Sequence, residues 1–162
     1  MMVFENIYRN VSDKVSEEIK ALWQTEGALK DEKEMQDRVR QLVFAVRHAE
    51  TGSLVGVSSA VKKEVKALND NYLYEFRCFI SKAHRMAGLD VKLSKMTFDF
   101  LESVSHQDTD KPIGVFAILE NEVLKKEDVW RRAVWPEIEM HLVGYTNTGN
   151  PIRVYYFKGA RI

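Results

Sequence analysis

The chain has 162 residues, and its 24 lysine and arginine residues balance 24 aspartate and glutamate residues, so its formal net charge at pH 7 is zero. A balanced charge removes the bulk electrostatic case for a protein that binds nucleic acid or an anionic membrane. The apolar fraction of 45% and the charged fraction of 30% are typical of a globular protein and exclude wholesale disorder. The length predicts a single domain over residues 1–162.

Cysteine usage and hydropathy favour a cytoplasmic protein. Cys78 is the single cysteine, so no intramolecular disulfide can form, and no cysteine and histidine cluster has the spacing of a zinc site. No apolar run approaches the roughly 20 residues that span a bilayer. Residues 1–14 lack the basic flank and apolar stretch of a secretory signal. We therefore expect no metal and no membrane segment.

The N-terminal part of the chain predicts a strand followed by two helices. Residues 2–8 form the candidate strand, and Ser12 is a candidate cap for the first helix. Asp31, with Glu34 three residues later, resembles a capping box that opens the second helix. The apolar positions of the first helix recur at helical spacing: Val15, Ile19, Leu22 and Trp23.

The hydrophobic period then changes to that of strands. Residues 43–49 are rich in strand formers, residues 50–53 have the composition of a turn, and residues 54–65 read as the returning strand of a hairpin. Residues 72–80 alternate aromatic and polar side chains, which predicts a strand with two distinct faces.

The C-terminal part predicts two further helices and three further strands. A well-buried helix is expected over residues 91–104, and the apolar run at residues 112–119 is typical of a central strand. Asn121 can cap the helix that follows. Residues 139–146 and 151–157 flank a turn and predict a second hairpin.

The element order is therefore β-α-α-β-β-β-α-β-α-β-β. Helices lie between runs of strands, which excludes an all-parallel doubly wound sheet and an all-helical bundle. We predict an α/β (α+β) domain, with a mixed, mostly antiparallel sheet of about seven strands and about four flanking helices.

A strand, a short loop with one glycine and a long helix follow one another over residues 72–102. The amides and the positive dipole end of such a helix form a natural site for an anion. Lys82, His84, Arg85 and Lys92 add basic side chains around the loop. The alternative is that the glycine only eases a tight turn, since a lone glycine loop is weak evidence for phosphate binding.

The same segment resembles the signature of the GNAT superfamily of acyl-CoA-dependent N-acyltransferases. In that family a hydrophobic residue ends the fourth strand about five residues before an Arg/Gln-x-x-Gly-x-Gly/Ala motif, and the matching residues are Ile80, Arg85 and Gly88. Residues 142–145 (LVGY) resemble the family's entry to its sixth strand, and Asn121 matches an asparagine that is frequent after the fifth strand. The element order fits the family over nearly the whole chain.

The resemblance implies a GNAT-like three-layer sandwich that binds acetyl-CoA in a gap between the fourth and fifth strands. The pantetheine arm would bond to the backbone near Phe79 and Ile80, and Asn121 would also contact the coenzyme. The pyrophosphate would rest on a run of backbone amides: Arg85, Met86, Ala87, Gly88, Leu89 and Asp90. Amides and the helix dipole supply most of the field that such a site needs.

Two departures from the family pattern bear on function. Asp90 stands at the third motif position, where glycine or alanine is usual, and would place negative charge beside the pyrophosphate. Many family members protonate the departing thiolate with a tyrosine on the helix after the fifth strand. Here that segment has no tyrosine, and Trp130 stands where one would be sought.

The resemblance makes Glu75 the candidate general base, with Tyr145 and Asn121 as further catalytic candidates. The alternative for Glu75 is an outward-facing carboxylate paired with Arg77. His141 is more typical of a structural hydrogen-bonding residue than of a base. A buried thiol at Cys78 would be inert. Tyr74, Tyr145 or a water would have to protonate the departing thiolate in place of the missing tyrosine.

The leading hypothesis is an N-acetyltransferase that moves an acetyl group directly from acetyl-CoA to a primary amine of a small molecule or protein. One alternative is a catalytically degenerate GNAT-like binding domain. Another is a GNAT-fold modifier of a nucleic-acid base, for which aromatic and basic residues at positions 130–132 and Trp135 are thin evidence. Family members are often dimers, so a homodimer is a further expectation.

Overall fold

The computed structural model describes residues 1–86, 88–120, 134–135 and 137–162, with only the backbone described for residues 134–135. Three α-helices occur in the described residues: α1 (Asp13–Glu26), α2 (Glu32–Val39) and α3 (Leu89–Ser105). The strands are β1 (Met2–Asn6), β2 (Leu42–His48), β3 (Leu54–Val65), β4 (Asn71–Ile80), β5 (Gly114–Ile118), β6 (Val134–Trp135), β7 (Met140–Tyr145) and β8 (Pro151–Tyr156). The helix expected after Asn121 lies outside the described residues.

The strands form a sheet in the order β1-β2-β3-β4-β5-β8-β7-β6. The β4–β5 pairing is parallel, whereas β1–β2, β2–β3, β5–β8, β7–β8 and β6–β7 pair in antiparallel fashion. This confirms the mixed, mostly antiparallel α/β class and both predicted hairpins. The strand that the sequence did not predict is β6, whose two residues are too short to show a period.

Contacts within the chain divide it into two compact units. Unit 1 comprises residues 1–60 and 77–97, and unit 2 comprises residues 61–76 and 98–162. The division cuts through β3, β4 and α3. A single domain over residues 1–162 stays a prediction.

Helix capping sets the start of both N-terminal helices in unit 1. The Ser12 side chain accepts a hydrogen bond from the Val15 amide at 3.2 Å, and Asp31 accepts one from the Glu34 amide at 2.8 Å. These bonds satisfy amides that have no partner within a helix, which confirms the predicted starts. The two helices then bury one apolar cluster with the sheet: Ile7, Ile19, Trp23, Met35, Val39, Leu42, Ala45 and Val57.

Alternation along β2 and β3 gives unit 1 a helix on each side of the sheet. Ala45 and Val57 face α1 and α2. On the opposite face, the Ser58 hydroxyl accepts a hydrogen bond from the Thr97 hydroxyl of α3 at 2.8 Å. Neighbouring residues of a strand point to opposite faces, so one run of strand residues serves both helix layers.

Unit 2 also uses the two faces of its strands differently. Leu73, Phe116 and Val154 form the buried cluster of one face. On the other face the Phe98 ring of α3 stacks on Tyr155, with ring centroids 5.2 Å apart. The aromatic side chains of alternate strand positions therefore hold the second half of α3 against the sheet.

None of the described helices has the length and apolar content needed to cross a membrane. The cytoplasmic location stays a prediction.

The pairing of β5 with β8 leaves no room for a side chain at Gly114. A Cβ atom there would overlap the Tyr155 carbonyl oxygen, which is backbone and cannot swing away. We expect Gly114→Ala to lower the free energy of unfolding by about 1–3 kcal/mol, as overpacking usually does. Gly144→Ala is the matched control, because a Cβ atom at this other strand glycine meets nothing within 4 Å. Chemical denaturation of both variants measures the difference, and equal midpoints would contradict the packing argument.

Candidate functional site

At the end of β4, the backbone N–H and C=O groups of successive residues point alternately to the two edges of the strand. The Ser81 amide donates to the Val55 carbonyl at 2.8 Å, and the Phe79 carbonyl oxygen lies against Gly56. The peptide groups of Phe79 and Ser81 therefore face β3. Because the direction alternates along a strand, those of Cys78 and Ile80 face the opposite edge. The backbone groups of Phe79 therefore face β3 and not the opposite edge, where the predicted bond to the pantetheine arm would require them.

Four side-chain hydrogen bonds hold the loop that follows β4. Arg85 Nε donates to the Ile80 carbonyl at 3.1 Å. The Ser81 hydroxyl and His84 Nδ1 are 2.7 Å apart. The Glu26 carboxylate, at the end of α1, accepts from the Lys82 amide at 2.9 and 3.1 Å. The guanidinium of Arg85 therefore closes the loop, a role that the sequence motif alone did not reveal.

The amides before and within the first turn of α3 are partly used and partly open. Met86 donates to the His84 carbonyl at 2.8 Å, and Leu89 donates to the Met86 carbonyl at 3.3 Å. Among residues 1–86 and 88–120, no backbone acceptor is found for the amides of Gly88 and Asp90. Gly88 has a φ of 87°, a conformation that glycine adopts without steric cost. An anion placed at this turn would meet open donors and the positive end of the helix dipole.

Of the residues predicted to contact the coenzyme, Ala87 in this loop and Asn121 after β5 lie outside the described residues. Leu89 is buried and anchors the start of α3, whereas Met86 and Asp90 are exposed. The Asp90 carboxylate belongs to the first turn of α3, where it is favourable for the helix and unfavourable for a second anion.

Glu75 is a buried carboxylate in the middle of the sheet of unit 2. It is only 4% exposed and forms an ion pair with Lys63 of β3. This corrects the alternative of an outward-facing carboxylate. Glu75 also occupies the second of the two residue pairs that join β4 to β5, opposite Phe116. Lys63 was missed from the sequence because it lies in a charged run that reads as a solvated face.

Tyr145 does not share a sheet face with Glu75. Glu75, Phe116, Val154 and His141 are directly opposite one another across four strands, so their side chains share one face. A register shift between Leu142 and Gly144 then turns Tyr145 to the other face. The predicted pair of Glu75 and Tyr145 is therefore not brought together, because a bulge reverses the alternation that the sequence suggests.

His141 shares the face of Glu75 but stands three strands away, roughly 14 Å at the usual strand spacing. Its side chain is exposed, and its ring lies 6.4 Å from that of Tyr156. The two groups are too far apart to act on one atom. Tyr74, next to Glu75 in β4, is buried against Phe157 on the opposite face.

Burial changes the ionisation of several groups near this region. Burial, and then the Glu102 carboxylate, raise the pKa of Tyr155 to about 12, and its hydroxyl donates to Glu102 at 3.4 Å. Burial lowers the pKa of the fully buried Arg153. The Cys78 side chain is exposed, which corrects the expectation of a buried thiol. Desolvation of the thiol by neighbouring groups, and then the charge of Asp90, raise the pKa of Cys78 to about 12, so the thiol is protonated at neutral pH.

Within the described part of the chain, no group of three or more histidine, cysteine, aspartate or glutamate residues is placed to hold a metal ion. Residues 130–132, named for a nucleic-acid groove, lie outside the described residues, and the side chain of Trp135 is not described.

The strand order, the two helices after β1 and the β4–α3–β5 unit define the class of fold: the chain has the fold of the GNAT acetyltransferases. No protein-family model and no curated protein sequence matches the chain. Similarity is found instead among solved structures that match over nearly their full length.

A GNAT phosphinothricin acetyltransferase from Sinorhizobium meliloti, in complex with acetyl-CoA, is 12% identical with a TM-score of 0.68, and the match covers 99% of this chain and 92% of that one. Arabidopsis thaliana NAA60, also with acetyl-CoA, is 13% identical with a TM-score of 0.62, covering 97% and 100%. An aminoglycoside 6'-N-acetyltransferase with coenzyme A is 11% identical with a TM-score of 0.60, covering 99% of both chains. At these identities the likeness establishes the fold alone.

Proposed function

We propose that this protein is an N-acetyltransferase that transfers an acetyl group from acetyl-CoA directly to a primary amine. The observation that carries the proposal is the loop that Arg85 closes before α3, in which the amides of Gly88 and Asp90 have no backbone acceptor among the described residues. The three solved structures named above are complexes with coenzyme A or acetyl-CoA, which supports the same cofactor here.

The coenzyme would contact backbone groups almost entirely. Its pyrophosphate would accept hydrogen bonds from the open amides at the start of α3, with the helix dipole adding to the attraction. Its pantetheine arm would lie along the edge of β4 to which Cys78 and Ile80 direct their peptide groups. The Phe79 side chain packs against the core beneath α1 and α2, so it would support the strand rather than touch the coenzyme.

Asp90 is the one group in the described loop that opposes this assignment by charge. Its side chain is exposed, so water screens the repulsion that a buried carboxylate would exert on a phosphate. The open amide of the same residue still offers a donor. The loop therefore suits a pyrophosphate, and the carboxylate weakens that binding without preventing it.

Acetyl-CoA supplies the acetyl group as a thioester whose carbonyl carbon an amine can attack. The new carbon–nitrogen bond forms, the carbon–sulfur bond breaks, and the amine loses one proton. Glu75 would take that proton through a water, because its buried carboxylate does not reach solvent directly. Lys63 is ion-paired with Glu75 and half exposed, so it would connect the base to the surface.

No described side chain is assigned as the acid for the departing sulfur, which would take its proton from water. Tyr145 and Tyr74 both lie on the face opposite Glu75, and a tyrosine was the residue expected for this step. Catalysis would then rest mainly on holding the amine and thioester together in a ternary complex.

Substitution at Gly88 tests coenzyme binding. We expect Gly88→Trp to weaken acetyl-CoA binding about tenfold or more. Tryptophan rarely adopts the positive φ of Gly88, so the substitution would move the loop amides and remove charge-assisted hydrogen bonds to the pyrophosphate. Gly159→Trp is the matched control: it also has a positive φ and open space, and it lies at the far end of the chain. Isothermal titration of protein first freed of carried-over coenzyme makes the comparison. Failure of the folded wild-type protein to bind acetyl-CoA would favour the degenerate binding domain.

Removal of the Asp90 charge is expected to improve coenzyme binding. Asp90→Asn should tighten acetyl-CoA binding about two- to fivefold at low salt, the effect of about 0.3–1 kcal/mol that one exposed charge exerts at a helix N-terminus. The gain should shrink as salt screens the repulsion. Asp99→Asn, another exposed aspartate on α3, should leave binding unchanged. Weaker binding by Asp90→Asn would show that the carboxylate supports the site.

Glu75 is tested by separating binding from turnover. A panel of polyamines, aminoglycosides and peptides with free N-termini is first screened for acetyl transfer by mass spectrometry. With the best acceptor, Glu75→Gln should lower kcat about 10²- to 10⁴-fold, as loss of a general base does, while acetyl-CoA still binds. The control is Glu64→Gln, an exposed position on β3. Full activity of Glu75→Gln would leave the Lys63–Glu75 pair a purely structural role.

A further inference from the structure

One apolar face of the sheet in unit 2 lies beside the candidate base. Three buried residues form its floor: Leu73, Phe116 and Val154. The apolar residues that pack against this floor are only partly buried, and among the described residues none of them belongs to an α-helix: Val65, Leu68, Ile113, Ile118, Ile152 and Tyr156. We call the floor and these residues the β5/β8 face. Because its outer residues are partly exposed, the face can receive a ligand.

Strand register places an apolar row of the β5/β8 face next to Glu75. Glu75 is directly opposite Phe116, and Phe116 is directly opposite Val154. Ile118 and Ile152 are opposite one another on one side of this row. At the usual strand spacing, the row extends roughly 10 Å from Glu75 to Val154. An apolar chain or ring of about that length would therefore fit along it with one end at Glu75.

The β5/β8 face is poor in negative charge. Among the described strand residues of unit 2 that share it, Glu75 is the only acidic one, and Lys63 already forms an ion pair with it. The exposed side chains of Lys63 and His141 are both basic. A ligand with several positive charges would find no further carboxylate on these strands and would lose hydration against apolar surface. The face therefore favours a molecule with one amino group and an otherwise apolar body.

We infer that the acceptor is a small monoamine whose amino group is joined to an aliphatic or aromatic body. The inference rests on the proposed function, since it names the class of amine that the same site acetylates. The body would lie on the β5/β8 face, and the amino group would be directed towards Glu75, which takes its proton. Polyamines and aminoglycosides would be poor acceptors, because each brings further positive charges to a face that has no carboxylate to meet them.

A series of linear alkylamines tests the contribution of the apolar body in the wild-type protein. Acetyl transfer is measured for n-propylamine, n-butylamine, n-hexylamine and n-octylamine, whose amino groups ionise alike. We expect kcat/KM to rise about three- to fourfold with each methylene that the face buries. The rise should end near n-octylamine, whose extended chain matches the length of the row. A kcat/KM that does not depend on chain length would overturn the inference.

A diamine of matched length tests the exclusion of a second charge. We expect 1,8-diaminooctane to have a kcat/KM about tenfold or more below that of n-octylamine, because its second ammonium group would lie against apolar side chains. Spermidine should be a poor acceptor for the same reason.

Two substitutions locate the selectivity on the β5/β8 face. Ile152→Glu adds a carboxylate beside the row, so it should lower kcat/KM for n-octylamine about tenfold and raise it severalfold for 1,8-diaminooctane. Ile118→Thr, a milder change opposite Ile152, should reduce the gain for each methylene. Val3→Glu is the matched control, because it adds the same charge at an exposed apolar residue of unit 1 and should keep the wild-type ratio. Thermal denaturation verifies that every variant is folded.

The outcomes separate this inference from the function on which it rests. Faster transfer to 1,8-diaminooctane or spermidine than to n-octylamine would overturn the acceptor class and leave acetyl transfer intact. Transfer to no amine, by protein that binds acetyl-CoA, would overturn both. Light scattering tests a second copy of the chain as the occupant of the face. If the wild-type protein is a dimer that Ile152→Glu, but not Val3→Glu, converts to a monomer, the face is an interface and the acceptor assignment is wrong.

Discussion

The closure of the loop between β4 and α3 is the constraint on which the candidate site depends. The Ser81 amide is held by β3, the Lys82 amide by Glu26 of α1, and the Ile80 carbonyl by the Arg85 guanidinium. With these groups occupied, the chain can leave the strand and begin a helix within a few residues. The amides of Gly88 and Asp90, which have no backbone acceptor among the described residues, lie at the start of α3, where the dipole favours an anion.

The candidate site attracts anions although the protein as a whole has no net charge. The whole chain is neutral, yet His48, His84 and Lys92 line one cleft in unit 1, and the nearby loop adds the dipole of α3. Asp90 opposes this field from the solvent side, where water screens it. Such a field acts on one ligand at short range, so the net charge of the whole chain does not reveal it.

The alternation of strand residues decides which side chains can cooperate. Glu75 faces the same side of the sheet as Phe116 and Val154, and its charge is met by Lys63 from the neighbouring strand. The bulge in β7 then places Tyr145 on the other side. This leaves one buried carboxylate as the candidate base and no described tyrosine beside it, so positioning of the two substrates carries more of the proposed chemistry.

The order of the described elements other than β6, both hairpins and the caps at Ser12 and Asp31 could be predicted from sequence, because these depend on local period, turn composition and nearby hydrogen bonds. The Ile80–Gly88 motif likewise located the loop before α3, since its signal is contained in a few consecutive residues. Sequence did not predict that Lys63 contacts Glu75, that Arg85 closes the loop or that Tyr145 lies on the opposite face. The contact of Lys63 with Glu75 and the orientation of Tyr145 depend on strand register and on one extra residue in β7, and a shift of one residue moves every later side chain to the opposite face.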